Sequence, residues 1–71
     1  MHVKPQLKKI LKEKGLTQED LSRLSSIPQG TISRFDNQVK HPDNTLFRIS
    51  RALNLSIEDL FEVIEDANDD N

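Results

Sequence analysis

The stretch TQEDLSRLSSIPQGTISRFDN, residues 17–37, decides the fold predicted for this chain. Thr17 and Asp20 stand at capping-box spacing, in which the hydroxyl accepts from a free backbone N–H and the carboxylate reaches back, so a helix is predicted to begin at Thr17. Pro28 has no backbone N–H and biases the preceding residue away from helical angles, which predicts a break there. A second helix is then predicted over residues 29–36.

The apolar residues of this stretch predict that its two helices pack together. Leu21 and Leu24 fall three apart on one face of the first helix, and Ile32 and Phe35 repeat that spacing in the second. The polar residues of the second helix are therefore expected to face outward.

These residues carry a resemblance to a known family. Residues 16–21 and 27–36 are similar to the helix-turn-helix unit of Cro/repressor (XRE) proteins, and the match extends through residues 52–56, covering about residues 5–62. The resemblance implies an all-α fold, a compact five-helix lambda-repressor-like DNA-binding domain with the helix-turn-helix formed by helices 2 and 3. It also implies a recognition helix in the major groove and a dimer on a two-fold operator.

The chain departs from the family pattern at Ser22, at the fifth place of the unit, and at two further places. Ser26 stands where a glycine is usual in the turn, and the sequence Asp36-Asn37-Gln38 replaces the usual Glu-x-Gly after the recognition helix. Asn37 is predicted to supply a left-handed cap in place of that glycine.

Two further helices flank this unit in the sequence. One is predicted over about residues 5–14 with Gly15 as its C-terminal cap. The other is predicted to be capped by Asp43 or Asn44 and to end at Asn54.

A fifth helix is predicted from a second capping box, formed by Ser56 and Asp59. It carries an apolar stripe at helical spacing made of Ile57, Leu60, Phe61 and Ile64. The candidate dimer contacts are Phe61 and Ile64 of this stripe together with Phe47; the alternative is that these residues complete the core.

Length and charge divide the chain in two. Seventy-one residues make one small domain, predicted over residues 1–64, which gains from a partner because so short a chain buries little surface. Residues 1–57 carry ten Lys and Arg and five acids, a net +5, whereas residues 58–71 carry seven acids and no base. Residues 65–71 are predicted to form a disordered acidic tail.

Composition excludes several classes of protein. The chain has no cysteine, which fits a reducing cytoplasm and rules out thiolate metal sites, and His2 and His41 are too far apart in the sequence to suggest a metal site. No apolar run approaches the length of about 20 residues that a membrane helix needs, and no signal peptide is recognisable, so we expect a cytoplasmic protein with no membrane partner. No cofactor is predicted.

The predicted recognition helix supplies the candidate base contacts. A glutamine carboxamide pairs bidentately with adenine and an arginine fork with guanine, so Gln29 and Arg34 are predicted to read bases. A salt bridge is the alternative role of Arg34. Gly30 either allows close approach to the groove floor or is simply unconstrained. The full set of candidate base contacts is Gln29, Gly30, Thr31, Ser33 and Arg34.

Candidate phosphate contacts lie on either side of this helix. Gln18 matches a family position that donates to phosphate, at a helix start whose free N–H groups attract anions. Lys40 and His41 resemble the family's backbone-contacting loop. The full set is Thr17, Gln18, Asn37, Lys40 and His41.

The sequence therefore predicts a transcriptional regulator that binds double-stranded DNA specifically, a repressor of phage or mobile-element type acting as a homodimer. The alternative is a protein-binding modulator or antirepressor that uses the same fold on a second regulatory protein. An enzyme is not expected, because no nucleophile, base and orienting group stand in a familiar arrangement.

Overall fold

Four helices and one small sheet make up the part of the chain that the structure, a computed structural model, describes, which is residues 1–65. The helices are α1 (Leu7–Lys14), α2 (Gln18–Ser25), α3 (Gln29–Arg34) and α4 (Asp43–Ala52). Short 3₁₀ turns follow α3 (Phe35–Asn37) and precede the last strand (Glu58–Leu60). The strands are β1 (His2–Pro5) and β2 (Phe61–Ile64). The predicted acidic tail falls largely on residues 66–71, which lie outside the described residues.

The first four predicted helices are present, and their predicted ends are largely correct. The Thr17–Asp20 capping box is formed, with the Asp20 N–H donating to the Thr17 hydroxyl oxygen at 3.0 Å and the Thr17 N–H donating to the Asp20 carboxylate at 2.9 Å. Gly15 closes α1 at φ 70°, and Asn54 takes φ 58° after α4. Local capping chemistry therefore sets these boundaries.

The predicted fifth helix is wrong, and with it the all-α, five-helix description. The Ser56–Asp59 capping box forms, with hydrogen bonds of 3.1 and 3.2 Å, but only one 3₁₀ turn follows it. Residues 61–64 instead form β2, which pairs antiparallel with β1, so that His2 lies opposite Ile64 and Pro5 opposite Phe61. Aromatic and β-branched residues suit a strand once a partner strand is available.

Smaller predictions also need correction. Leu24 is 59% exposed, and the buried partner of Leu21 on α2 is Ser25, whose hydroxyl donates to the Leu21 carbonyl at 2.6 Å. Asn37 lies in the 3₁₀ turn and is not among the described residues with positive φ. The start of α4 has no side-chain cap, so the predicted cap by Asp43 or Asn44 is wrong.

One apolar core holds these elements together. Its buried members come from all four helices, the turn between α2 and α3, both 3₁₀ turns and the residue after α4: Leu7, Ile10, Leu11, Leu21, Ile27, Ile32, Phe35, Ile49, Leu53 and Leu60. The sheet is fastened to this core by Gln6, whose N–H donates to the Leu60 carbonyl at 3.0 Å and whose side chain donates to the Phe61 carbonyl at 3.2 Å.

Candidate nucleic-acid interface

The turn between α2 and α3 fixes the angle at which α3 is presented. Ser26 takes the left-handed conformation at φ 61°, and its N–H donates to the Ser22 carbonyl at 2.9 Å. The Ser22 hydroxyl donates across the turn to the Ile27 carbonyl at 2.5 Å. Ser26 thus takes the conformation in which a glycine is usual, while buried Ile27 anchors the turn in the core.

The polar residues of α3 lie together on its outer side. Ile32 is 1% exposed and holds the helix against the core, whereas Gln29, Gly30, Ser33 and Arg34 are exposed. Residues four apart share one face of a helix, which brings Gln29 and Ser33 together and Gly30 and Arg34 together. The fifth candidate, Thr31, is half-buried. The structure therefore brings four of the five predicted base-contact residues onto one accessible surface.

Arg34 lies over Gly30. A Cβ atom added at Gly30 would come within 3.2 Å of the Arg34 Nη1 atom, and within 3.9 Å of its Cζ atom. Arg34 forms no ion pair with a carboxylate of residues 1–65, so the salt bridge considered as its alternative role is absent there. Its guanidinium donors remain available to an external acceptor.

A basic depression lies at the start of α2. Its walls include Thr17 and Gln18, and Lys8 and Lys12 of α1 line it from the other side. The Thr17 hydroxyl oxygen accepts from the Asp20 N–H at 3.0 Å, as part of the capping box. The two lysines were not among the predicted contacts; their i, i+4 spacing on α1 was the available signal.

The Asp20 carboxylate, in the first turn of α2, is held in its charged form. The Thr17 backbone N–H, followed by the Thr17 hydroxyl, lowers the pKa of Asp20 below its usual 3.8, and Arg23 adds to this effect. Arg23 donates to the Asp20 carboxylate at 2.6 Å. Arg23 therefore balances the charge of Asp20 within α2.

The loop after α3 carries the other predicted phosphate contacts. Asn37 and Lys40 are exposed, as is Val39 at 96%. His41 is half-buried: its ring stacks on Phe35 with a centroid distance of 4.0 Å, and its Nε2 atom donates to the Phe35 carbonyl at 2.8 Å. His41 therefore anchors the loop to the core, and its contact with phosphate stays a prediction.

A comparison with protein families assigns this arrangement. The model of the Cro/C1-type helix-turn-helix DNA-binding domain matches residues 6–66. The chain belongs to that family. In this Cro/C1-type domain the helix-turn-helix is formed by α2 and α3, as the sequence predicted. No curated protein matches the chain. Among residues 1–65, no helix is long and apolar enough to cross a membrane.

The Cro/C1-type domain contains a long-range helix cap that was not predicted from the sequence. The Asp36 carboxylate, just after α3, accepts from the Leu7 N–H at 2.8 Å and from the Lys8 N–H at 3.0 Å. Gln6, at the cap position of α1, makes no side-chain cap bond, so Asp36 caps that helix from a distance of 29 residues. No local spacing signals such a contact.

The three candidate dimer contacts of the domain differ in exposure. Phe47 is 51% exposed on α4. Phe61 is half-buried, with its ring 6.1 Å from Phe35, and Ile64 is half-buried in β2. Both therefore lie on a strand and not on the predicted helix. The most exposed apolar pair of the sheet is Val3 with Val63, at 54% and 57%.

Proposed function

We propose that this Cro/C1-type protein is a transcriptional repressor that recognises an operator through α3. The supporting observation is the exposed polar surface of α3, carried on a helix whose opposite side is fixed by Ile32 and by Phe35 just beyond it. A rigid helix with exposed pairing groups is what major-groove readout requires. A protein bound in this way over a promoter occludes polymerase.

Specificity in this proposal comes from two side chains that pair bidentately. Gln29 reads adenine through its N6 and N7 atoms, and Arg34 reads guanine through O6 and N7. Ser33 adds a hydrogen bond to a base or a phosphate. Thr31, being half-buried, contributes through its hydroxyl at the edge of the same surface.

Affinity in this proposal comes from the DNA backbone. One set of donors is the basic depression, where Thr17 and Gln18 meet two lysines. The second set is the loop after α3, where Asn37, Lys40 and His41 lie. The two sets flank α3 in the sequence, and contacts to phosphates on both sides fix the register of a recognition helix.

The protein acts in this proposal as a homodimer on a two-fold operator. A chain of 71 residues buries a modest share of its surface, which favours association. Phe47 is the most exposed of the candidate contacts, and Phe61 and Ile64 present only partial surface. Sedimentation of the free protein measures the oligomeric state, and Phe47→Ser is expected to shift it toward monomer.

Selection of bound duplexes from a random DNA pool at about 0.15 M salt tests the proposal, because this salt penalises purely electrostatic binding. A two-fold symmetric motif with half-sites about one helical turn apart is expected. Absence of enrichment by folded protein would refute operator recognition and would favour the protein-binding modulator. That alternative was motivated by the acidic tail and by the apolar stripe of the predicted fifth helix, and this helix is not formed, since residues 61–64 are a strand.

A further inference from the structure

We infer that Gly30 is a positioning residue for Arg34 and not itself a base contact: it provides the seat on which the guanidinium lies before DNA is bound. This inference rests on the proposed function, because it assigns the way in which one side chain of that site is held. The sequence had suggested two other roles for Gly30, close approach of the backbone to the groove and no constraint at all.

The direction of helical side chains puts Arg34 over Gly30. Long side chains on a helix lean toward its N-terminus and cover the residue about one turn earlier. In α3 that residue is Gly30, and the Arg34 Nη1 atom lies 3.2 Å from the position that a Cβ would occupy there. The Cζ and Nη2 atoms lie 3.9 Å from it. The absent methyl group is therefore what allows the guanidinium to lie so close to the helix.

The contact with Gly30 places the Arg34 guanidinium near Gln29. The guanidinium lies at Gly30, one residue from Gln29, at the end of α3 whose residues reach base edges in this mode of docking. With no carboxylate among residues 1–65 paired to it, the fork is held by shape and not by charge. Adjacent placement of the two pairing side chains favours an operator half-site in which a guanine and an adenine lie close together.

A methyl group at residue 30 affects the guanidinium more than the fold. The Arg34 guanidinium is the end of a flexible side chain, so it moves away when Ala is introduced, and the backbone is undisturbed. Alanine is also a better helix former than glycine. Gly30→Ala is therefore expected to unfold at the same temperature as the wild type or higher, while its arginine fork is displaced from the position that bidentate pairing requires.

The first test needs no DNA. In the NMR spectrum of the free protein, nuclear Overhauser contacts between the Gly30 α-protons and the Arg34 guanidinium protons are expected, and Gly30→Ala should weaken the matching contact. Absence of this contact in the folded wild type would overturn the inference, whatever the protein binds. The proposed function is tested separately by the duplex selection, so the two can fail independently.

The second test is a double-mutant cycle on the selected operator, using wild type, Gly30→Ala, Arg34→Ala and the double variant. Gly30→Ala is expected to weaken binding about fivefold in the wild-type background and less than about twofold when Arg34 is already alanine. Its loss of base preference should fall at the position that Arg34→Ala relaxes. Arg51→Ala, which removes the same charge from α4, is the matched control and should leave base preference unchanged.

Two outcomes of the cycle would overturn the inference. Equal weakening by Gly30→Ala in both backgrounds would mean that a methyl group at residue 30 blocks the approach of the α3 backbone to the DNA, whatever Arg34 does. Unchanged binding of Gly30→Ala in the wild-type background would mean that Arg34 reads DNA without the seat. Thermal unfolding of each variant keeps a binding loss from being confused with loss of fold.

Discussion

Removal of the Asp36 carboxylate is expected to lower stability more than removal of any ordinary surface acid. Asp36 accepts from two N–H groups at the start of α1, at 2.8 and 3.0 Å. In Asp36→Ala the part-buried Leu7 N–H loses its hydrogen-bond acceptor, whereas the exposed Lys8 N–H can donate to water. A missing helix cap costs about 0.5–2 kcal/mol, and a hydrogen bond to a charged group contributes about 1.5–3 kcal/mol.

These contributions combine to an expected loss of about 2 kcal/mol for Asp36→Ala, because the exposed N–H adds little. A domain of this size has a free energy of unfolding of roughly 4–10 kcal/mol, so the loss is a large fraction of the total. The midpoint of thermal unfolding should fall by about 8–16 °C. Asp36→Asn keeps one accepting oxygen and should lose about half as much.

Circular dichroism at increasing temperature and urea concentration measures both quantities. Asp43→Ala is the matched control, since Asp43 lies in the first turn of α4 and makes no cap bond there; its loss should stay under about 1 kcal/mol. If Asp36→Ala destabilised the protein no more than Asp43→Ala, the long-range cap would contribute nothing and the reasoning would be wrong.

Three further predictions concern the turn, the DNA and pH. Ser26→Gly should raise the free energy of unfolding by about 1 kcal/mol, because Ser26 takes φ 61° and glycine adopts that conformation without a clash; a loss in a urea titration would contradict this. Arg34→Ala should lower the free energy of DNA binding by about 1–3 kcal/mol and relax the preference at one base pair. Lys40→Ala should weaken binding to all duplexes alike and reduce the slope of log K against log salt concentration by about 1. Binding titrations at several salt concentrations distinguish the two variants, and identical effects would refute the assignment of Arg34 to bases and Lys40 to phosphates. The pKa of Asp20 is lowered in the folded state, chiefly by the Thr17 N–H, so its stabilisation is present above about pH 3.8 and is lost as pH falls through the lowered value. Unfolding measured from pH 5 to pH 2 should show a smaller decrease in stability for Asp20→Asn than for the wild type, and parallel curves would exclude a role for Asp20.

Sequence reasoning succeeded where structure is set by neighbouring residues. The Thr17–Asp20 box and the left-handed Gly15 depend on groups within one or two turns, which a single sequence displays. The polar face of α3 likewise follows from helical spacing around buried Ile32.

The sequence-based predictions were wrong or incomplete where a segment distant in the sequence determines the local structure. The spacing of Leu60, Phe61 and Ile64 fits a helix, yet these residues extend from a 3₁₀ turn into a strand because β1 lies beside them. Local periodicity carries no information about that partner strand. The same holds for Asp36, whose acceptors serve a helix 29 residues earlier.

For the candidate interface, the sequence identified the exposed residues of α3 but not how they are held. The relation between Gly30 and Arg34 follows from the conformation of one long side chain, which spacing alone leaves open between several rotamers. The position of His41 against Phe35 is similarly a matter of tertiary packing.

The pairing of β1 with β2 has a consequence for the order in which the domain forms during synthesis. Gln6 and Phe61, which are hydrogen-bonded beside the sheet, are separated by 55 positions, whereas the four helices all lie between residues 7 and 52. All four helices are therefore synthesised before β2, whereas β1 leaves the ribosome first and stays unpaired until β2 follows. Until then β1 has no partner strand, so the sheet closes only after the segment that carries all four helices has been made.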